Sequence, residues 1–91
     1  LYNMKGWVYI LKSSLSNKFY VGSTVNIQKR IRAHILGHTQ TTRNMGEFEL
    51  VFMQEYETLT LARVVERKLK KMKRKDYLEK IVRDGYIRVK P

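Results

Sequence analysis

Residues 18–34, KFYVGSTVNIQKRIRAH, pass within one short stretch from a strand-like segment, through a glycine, into a basic amphipathic helix. Phe19, Tyr20 and Val21 are aromatic and β-branched residues suited to a pleated, half-buried surface, and Gly22 lets the backbone turn or approach another group closely. From Asn26 onward, Ile27, Ile31 and Ile35 recur every four positions and form one stripe, beside a second stripe of Asn26, Arg30 and His34. On a helix near 25–37, the first stripe is expected to pack and the second to present chemistry.

Working outward, residues 6–12 (GWVYILK) read as a strand with Trp7, Tyr9 and Leu11 on one face and Val8 and Ile10 on the other. Both faces are apolar, so this strand belongs in the sheet interior. The turn-rich link 13–17 (SSLSN) is short enough for a hairpin that returns 18–23 antiparallel to the first strand. Tyr9 and Tyr20 then lie on adjacent strands, and whether their hydroxyls converge depends on register. After the first helix, 37–47 (GHTQTTRNMGE) is polar and glycine-punctuated and reads as an exposed loop. Residues 48–56 (FELVFMQEY) return to strand composition, with Phe48, Leu50, Phe52 and Gln54 expected on one face. Thr58 or Thr60 can cap a helix over 59–72, whose apolar stripe is Leu61, Val64, Val65, Leu69 and Met72. A shorter helix near 77–82 should carry Leu78, Ile81 and Val82 and stop near Gly85, and 86–89 reads as a small terminal strand. The expected fold class is α+β: a three-stranded antiparallel sheet flanked by helices, in one domain over 4–91. Leu1, Tyr2 and Asn3 precede Met4 and are read as an expression remnant.

Composition narrows the functions open to such a chain. Ninety-one residues allow one modest core and leave no room for a cofactor domain beside a substrate domain. Hydrophobic residues make up 43% of the chain, enough for a folded rather than disordered state. Nineteen Lys and Arg against eight Asp and Glu give a net charge of +11, a density that favours a polyanionic partner, most often nucleic acid. The absence of cysteine excludes disulfides, thiolate zinc sites and thiol nucleophiles, and no apolar run suggests a membrane span or signal core. A cytoplasmic location is the simplest expectation.

Residues 63–75 hold eight basic side chains and a single carboxylate, Glu66. On a face turned toward phosphate, such a carboxylate is repelled unless a cation intervenes, which makes Glu66 a candidate divalent-metal ligand. Glu66 and Lys70 are equally an i, i+4 helix pair, worth about 0.3 kcal/mol. Arg30 can clamp a phosphoryl transition state, and His34 one turn on can donate to a leaving oxygen or shuttle a proton; in an ordinary basic helix both are simply solvated. Tyr9 and Tyr20 are either buried aromatics with hydrogen-bonded hydroxyls or catalytic phenols. Lys29, Arg32, Arg43, Lys70 and Lys73 are the cations expected to hold nucleic-acid phosphates.

In combination these positions resemble the GIY-YIG nucleases over nearly the whole chain. Trp7-Val8-Tyr9 is similar to the first family element and Tyr20-Val21-Gly22 to the second, at the family's usual separation. Arg30 and His34 fall where the family's helix carries an arginine and a histidine or tyrosine, and Glu66 where it carries its metal-binding glutamate. Trp7 departs from the glycine of the family name, and the asparagine that some members carry after the glutamate helix has no clear match. The likeness is greatest to the small, free-standing bacterial members. It implies a one-metal endonuclease acting on DNA, including the structured or damaged DNA of repair or recombination. Glu66 would hold Mg²⁺ or Mn²⁺; Tyr9 first, or Tyr20, would activate water; Arg30 would neutralise phosphate charge, and His34 would orient the water or a tyrosine hydroxyl. The competing reading is a non-catalytic basic module that binds nucleic acid through the same charge. A basic module for an acidic protein partner has no motif in its favour.

Overall fold

The computed structural model describes residues 4–35 and 47–91. Chain order is β1 (Gly6–Ser13), β2 (Phe19–Thr24), α1 (Ile27–Ile35), β3 (Phe48–Tyr56), α2 (Leu59–Met72) and α3 (Lys75–Asp84). Most of the expected 37–47 loop, and Arg43 with it, lies outside the described residues. Among the described residues no helix is long and apolar enough to cross a membrane.

The sheet order is β2-β1-β3, antiparallel throughout, so the strand that is apolar on both faces is the central one. Val8 and Ile10 on one face are fully buried, and Tyr9 and Leu11 on the other nearly so. The β1–β2 hairpin aligns Tyr9 with Gly22 and Leu11 with Tyr20. It closes through Ser13 N–H donating to the Lys18 carbonyl at 2.9 Å. Asn17 takes the left-handed turn position, φ 58°, which asparagine tolerates better than most residues.

On the β3 side the register runs Ile10 opposite Phe52 and then Leu11 opposite Leu50, so Val51 is an extra residue in a bulge. The bulge breaks the alternation expected for 48–56. Phe48 packs with Tyr9 and Leu11, whereas Phe52 joins Val8 and Ile10 on the opposite face.

Two helices cover the Val8–Ile10 face. Thr58 caps α2 by accepting from Leu61 N–H at 3.2 Å, and the helix buries Ala62, Val65 and Leu69 against the sheet. Ala62 joins that seam, while Met72, expected in it, is exposed at the helix end. The last helix, α3, begins at Lys75, earlier than the spacing suggested, adds Ile81 to the core, and ends at Gly85, which takes φ 83°. Residues 86–89 do not form the expected strand. The Ile87 N–H donates to the Gln54 side-chain oxygen at 2.9 Å, and its side chain enters the core, so a side chain anchors this tail where a backbone ladder was expected.

Among the described residues only α1 covers the other face. Asn26 caps it by accepting from Lys29 N–H at 3.0 Å, and Ile27 and Ile31 pack on Tyr9 and Leu11. Ile35, expected in the same stripe, is 69% exposed, and the residue α1 buries there is His34, 7% exposed. At about 100° per residue, a four-residue spacing drifts roughly 80° between Ile27 and Ile35, whereas His34 returns to within about 20° of Ile27.

Candidate active site

A cleft of about 750 Å³ runs along β2, lined by that edge strand, by Tyr9 of β1, by α1 and by α2. The two helices pack on opposite faces of the sheet, and side chains from both line the cleft. Tyr9, Tyr20, Arg30, His34 and Glu66 all line this cleft. Gly22 makes the meeting possible. It stands opposite Tyr9 in the ladder, and a Cβ built on it would collide with the phenol, coming within 2.9 Å of Cε2 and closer still to Cζ and the hydroxyl. With no side chain at that position, the Tyr9 ring lies over the edge strand and its hydroxyl enters the cleft.

Tyr9 and His34 form the most buried polar pair of the site. Tyr9 Oη lies 3.0 Å from His34 Nε2, and the phenol is the donor when that nitrogen is unprotonated. Their rings meet edge to face at 5.7 Å, and Phe48 closes on the other side of the imidazole at 5.9 Å. Burial pushes the Tyr9 phenol above its ordinary pKa of 10; the Arg30 guanidinium works against this, while Glu66 adds to it. Burial, and secondarily the charge of Arg30, pull His34 below its ordinary 6.5. At neutral pH the pair is therefore a neutral phenol facing a neutral imidazole. Tyr20 is half-buried against Leu11 on the same face, and Arg30 stands exposed on α1.

Glu66 is held from two directions. The Ser23 hydroxyl of β2 donates to Oε1, and the Lys70 ammonium lies 2.6 Å from Oε2. Among the described residues no cluster of three or more His, Asp or Glu could enclose a metal. The donor set still suits a hard cation, because Mg²⁺ is commonly held through one or two carboxylates, with water and substrate phosphate completing its shell. Lys70 already places a positive charge against the oxygen such an ion would take.

Several cleft residues carried no signal of their own in the sequence. Ser23 shares a face with Val8 across the hairpin, but nothing local reveals that α2 passes beside it. Lys18, Arg63 and Lys75 join Lys70 and Lys73 in lining the cleft. Arg63 and Lys75 are part of the basic run already noted, and Lys18 precedes the edge strand. By contrast, Lys29 and Arg32 are exposed on α1 and do not line the cleft.

Sheet, edge cleft and basic walls define the class: a small α+β domain whose polar side chains converge beside an edge strand. Residues 5–80 match the GIY-YIG catalytic domain model, and the chain belongs to that family. It is 37% identical over 76 residues to a UPF0213 protein of Clostridium perfringens, covering 82% of this chain and 81% of that one. A UPF0213 protein of Syntrophus aciditrophicus is 34% identical over 79 residues, covering 85% and 90% respectively. The solution NMR structure of a UPF0213 protein from Bacillus halodurans superimposes with a TM-score of 0.57 at 28% identity, covering 90% of this chain and 87% of that one. The family is of nuclease type, with DNA as its general substrate and a general dependence on divalent metal.

Proposed function

We propose that this cleft hydrolyses phosphodiester bonds in DNA as an endonuclease, with Mg²⁺ or Mn²⁺ held at Glu66. The observation that carries the reading is the convergence of Tyr9, Arg30, His34 and Glu66, from both sides of the sheet, on one basic cleft. A divalent ion bound there supplies Lewis-acid stabilisation of the negative charge on the departing 3′ oxygen. Glu66 would supply the carboxylate that receives it, and the Ser23 hydroxyl orients that carboxylate. Tyr9, its pKa raised, stays a protonated phenol and does not by itself offer a base, but it is paired with a neutral imidazole. As the water oxygen bonds to phosphorus and the bond from phosphorus to the 3′ oxygen breaks, the water proton passes to Tyr9 Oη and the phenol proton to His34 Nε2. Arg30 neutralises charge growing on the phosphate. Lys18, Arg63, Lys73 and Lys75 hold flanking phosphates, as Lys29 and Arg32 can outside the cleft, and Arg43 is a further candidate by its charge. Tyr20 shapes the floor beside Tyr9. The domain spans 4–91 and acts in the cytoplasm.

The saturated state of Glu66, with Ser23 on one oxygen and Lys70 on the other, also suits a binding module in which the pair is structural. One paired experiment separates the two readings. A panel of labelled DNA and RNA structures, including branched and damaged duplexes, is incubated with Mg²⁺, Mn²⁺ or EDTA. On the best substrate, affinity is measured in Ca²⁺ or EDTA and single-turnover cleavage in Mg²⁺ or Mn²⁺. Glu66→Gln keeps the shape and removes one negative charge, so affinity stays level or rises while cleavage collapses. Arg30→Ala lowers cleavage by on the order of a hundredfold. A wild-type protein that binds tightly and cuts nothing, with a metal response unaltered by Glu66→Gln, is a binding module.

A further inference from the structure

Glu66 shares its carboxylate between partners that differ in how firmly they are tied. Ser23 lies on β2, paired through the ladder to Val8, and its short side chain has one heavy-atom torsion with which to meet Oε1. Lys70 reaches Oε2 along a flexible four-carbon stem from the next turn of α2, and its side chain is 58% exposed. The Glu66 side chain is only 19% exposed, so its charge calls for a counter-ion at all times. Both residues line the cleft.

We propose that Lys70 is a displaceable placeholder for the cation at Glu66. In the free protein its ammonium holds Oε2; when a divalent ion takes that oxygen, Lys70 turns to a phosphate of the nucleic acid, while Ser23 keeps Oε1 and the orientation of the carboxylate. This inference rests on the reading of Glu66 as the metal ligand. Its physical basis is exclusion: a divalent ion on Oε2 would meet the ammonium at contact distance, so the two like charges cannot share the oxygen. A phosphate in the cleft offers the displaced ammonium a second anion, and the ion and the nucleic acid then favour each other's binding. By linkage the coupling is reciprocal, and the free protein binds divalent ions weakly.

The test is a Mn²⁺ titration of the free, full-length protein without nucleic acid, followed by the EPR signal of unbound Mn²⁺. Four proteins are compared: wild type, Lys70→Gln, Lys71→Gln and Glu66→Gln. Lys71 is the neighbouring exposed lysine and reports the general effect of removing one positive charge from a basic protein. Lys70→Gln is expected to bind Mn²⁺ roughly fivefold more tightly than wild type, in line with loss of a partly exposed ion pair. Lys71→Gln should stay within about twofold, as screened surface charge does, and Glu66→Gln should lose the site. Equal affinities for the two lysine variants overturn the placeholder and leave the metal reading of Glu66 standing. Mn²⁺ binding undiminished by Glu66→Gln overturns that reading, and the placeholder with it. In the Lys70→Gln background, Ser23→Ala should weaken Mn²⁺ binding and Ser23→Thr restore it; unchanged affinity in Ser23→Ala overturns the anchoring role of Ser23.

Discussion

Alternate residues of β1 send Val8 and Ile10 to one face of the sheet and Tyr9 and Leu11 to the other, and the two faces are finished differently. The first is sealed by α2 and α3 with Phe52, Ala62, Val65, Leu69, Ile81 and Ile87, all apolar and buried. Among the described residues the second is closed by α1 alone, with Ile27, Ile31 and Phe48 around Tyr9 and Leu11. There the helix buries a histidine, and that histidine bonds to the Tyr9 hydroxyl of the central strand. A thick apolar face can be made tight without regard to chemistry. The thin face leaves a phenol and an imidazole beside the β2 edge, where both line the cleft. Glu66 belongs to a helix of the thick face and joins the other groups in the cleft where α2 passes beside Ser23 of β2.

Truncation should expose this division most sharply in stability. Ile10→Ala, at a fully buried position between the sheet and α2, should lower unfolding stability by about 2–5 kcal/mol. Ile31→Ala, on the half-buried α1 side, should cost about 1–2 kcal/mol, the range of a partial burial. Urea unfolding of both variants measures the contrast, and equal losses would mean that the two faces contribute alike.

Gly22→Ala tests the point where the thin face meets the cleft. The added methyl collides with the Tyr9 phenol, and relieving the clash should cost about 1–3 kcal/mol, as overpacking does. Moving the ring also separates Tyr9 Oη from His34 Nε2, and cleavage should fall by on the order of a hundredfold while DNA affinity in EDTA changes little. A variant as stable and as active as wild type would show that the close approach is not needed.

The smallest effect is the one read by pH. His34 is held below its ordinary 6.5, so its neutral, proton-accepting form persists into mildly acidic solution. The acidic limb of the single-turnover rate should therefore fall below pH 6.5, where an exposed histidine would already be protonated. The stability sign agrees. With the folded pKa depressed, the unfolded state binds the proton more readily, so this histidine's contribution is complete above pH 6.5 and is lost as pH falls through the folded value. An acidic limb centred at or above 6.5 would place His34 outside the relay.

How much of this was legible beforehand differs between β1 and its neighbours. The apolar residues on both faces of 6–12 suit an interior strand, and the link 13–17 is short enough for a hairpin, so β1, β2 and their antiparallel pairing were legible from local pattern, though their register was not. The 59–72 helix follows equally, because a capping threonine and a periodic stripe are local chemistry, while the choice of Thr58 over Thr60 as the cap came from the structure. The 48–56 segment was legible as a strand but not in its facing, since a one-residue bulge at Val51 reverses the alternation and leaves no mark in composition. Ile35 and His34 exchange their expected places for a geometric reason: a four-residue repeat drifts around a helix of 3.6 residues per turn.

The candidate site divides along the same line. Sequence alone determined which residue types were available: two tyrosines on paired strands, an arginine and a histidine one helical turn apart, and a solitary carboxylate in a basic run. Register and helix placement, which belong to the tertiary structure, decided what those groups do to one another. They set Tyr9 over Gly22 and against His34, brought Ser23 of the edge strand to a carboxylate 43 residues away, and gave the phenol and the imidazole opposite shifts through the same burial. Spacing along a chain fixes which side of a strand or helix a residue occupies, but distance and desolvation depend on what other elements bring beside it.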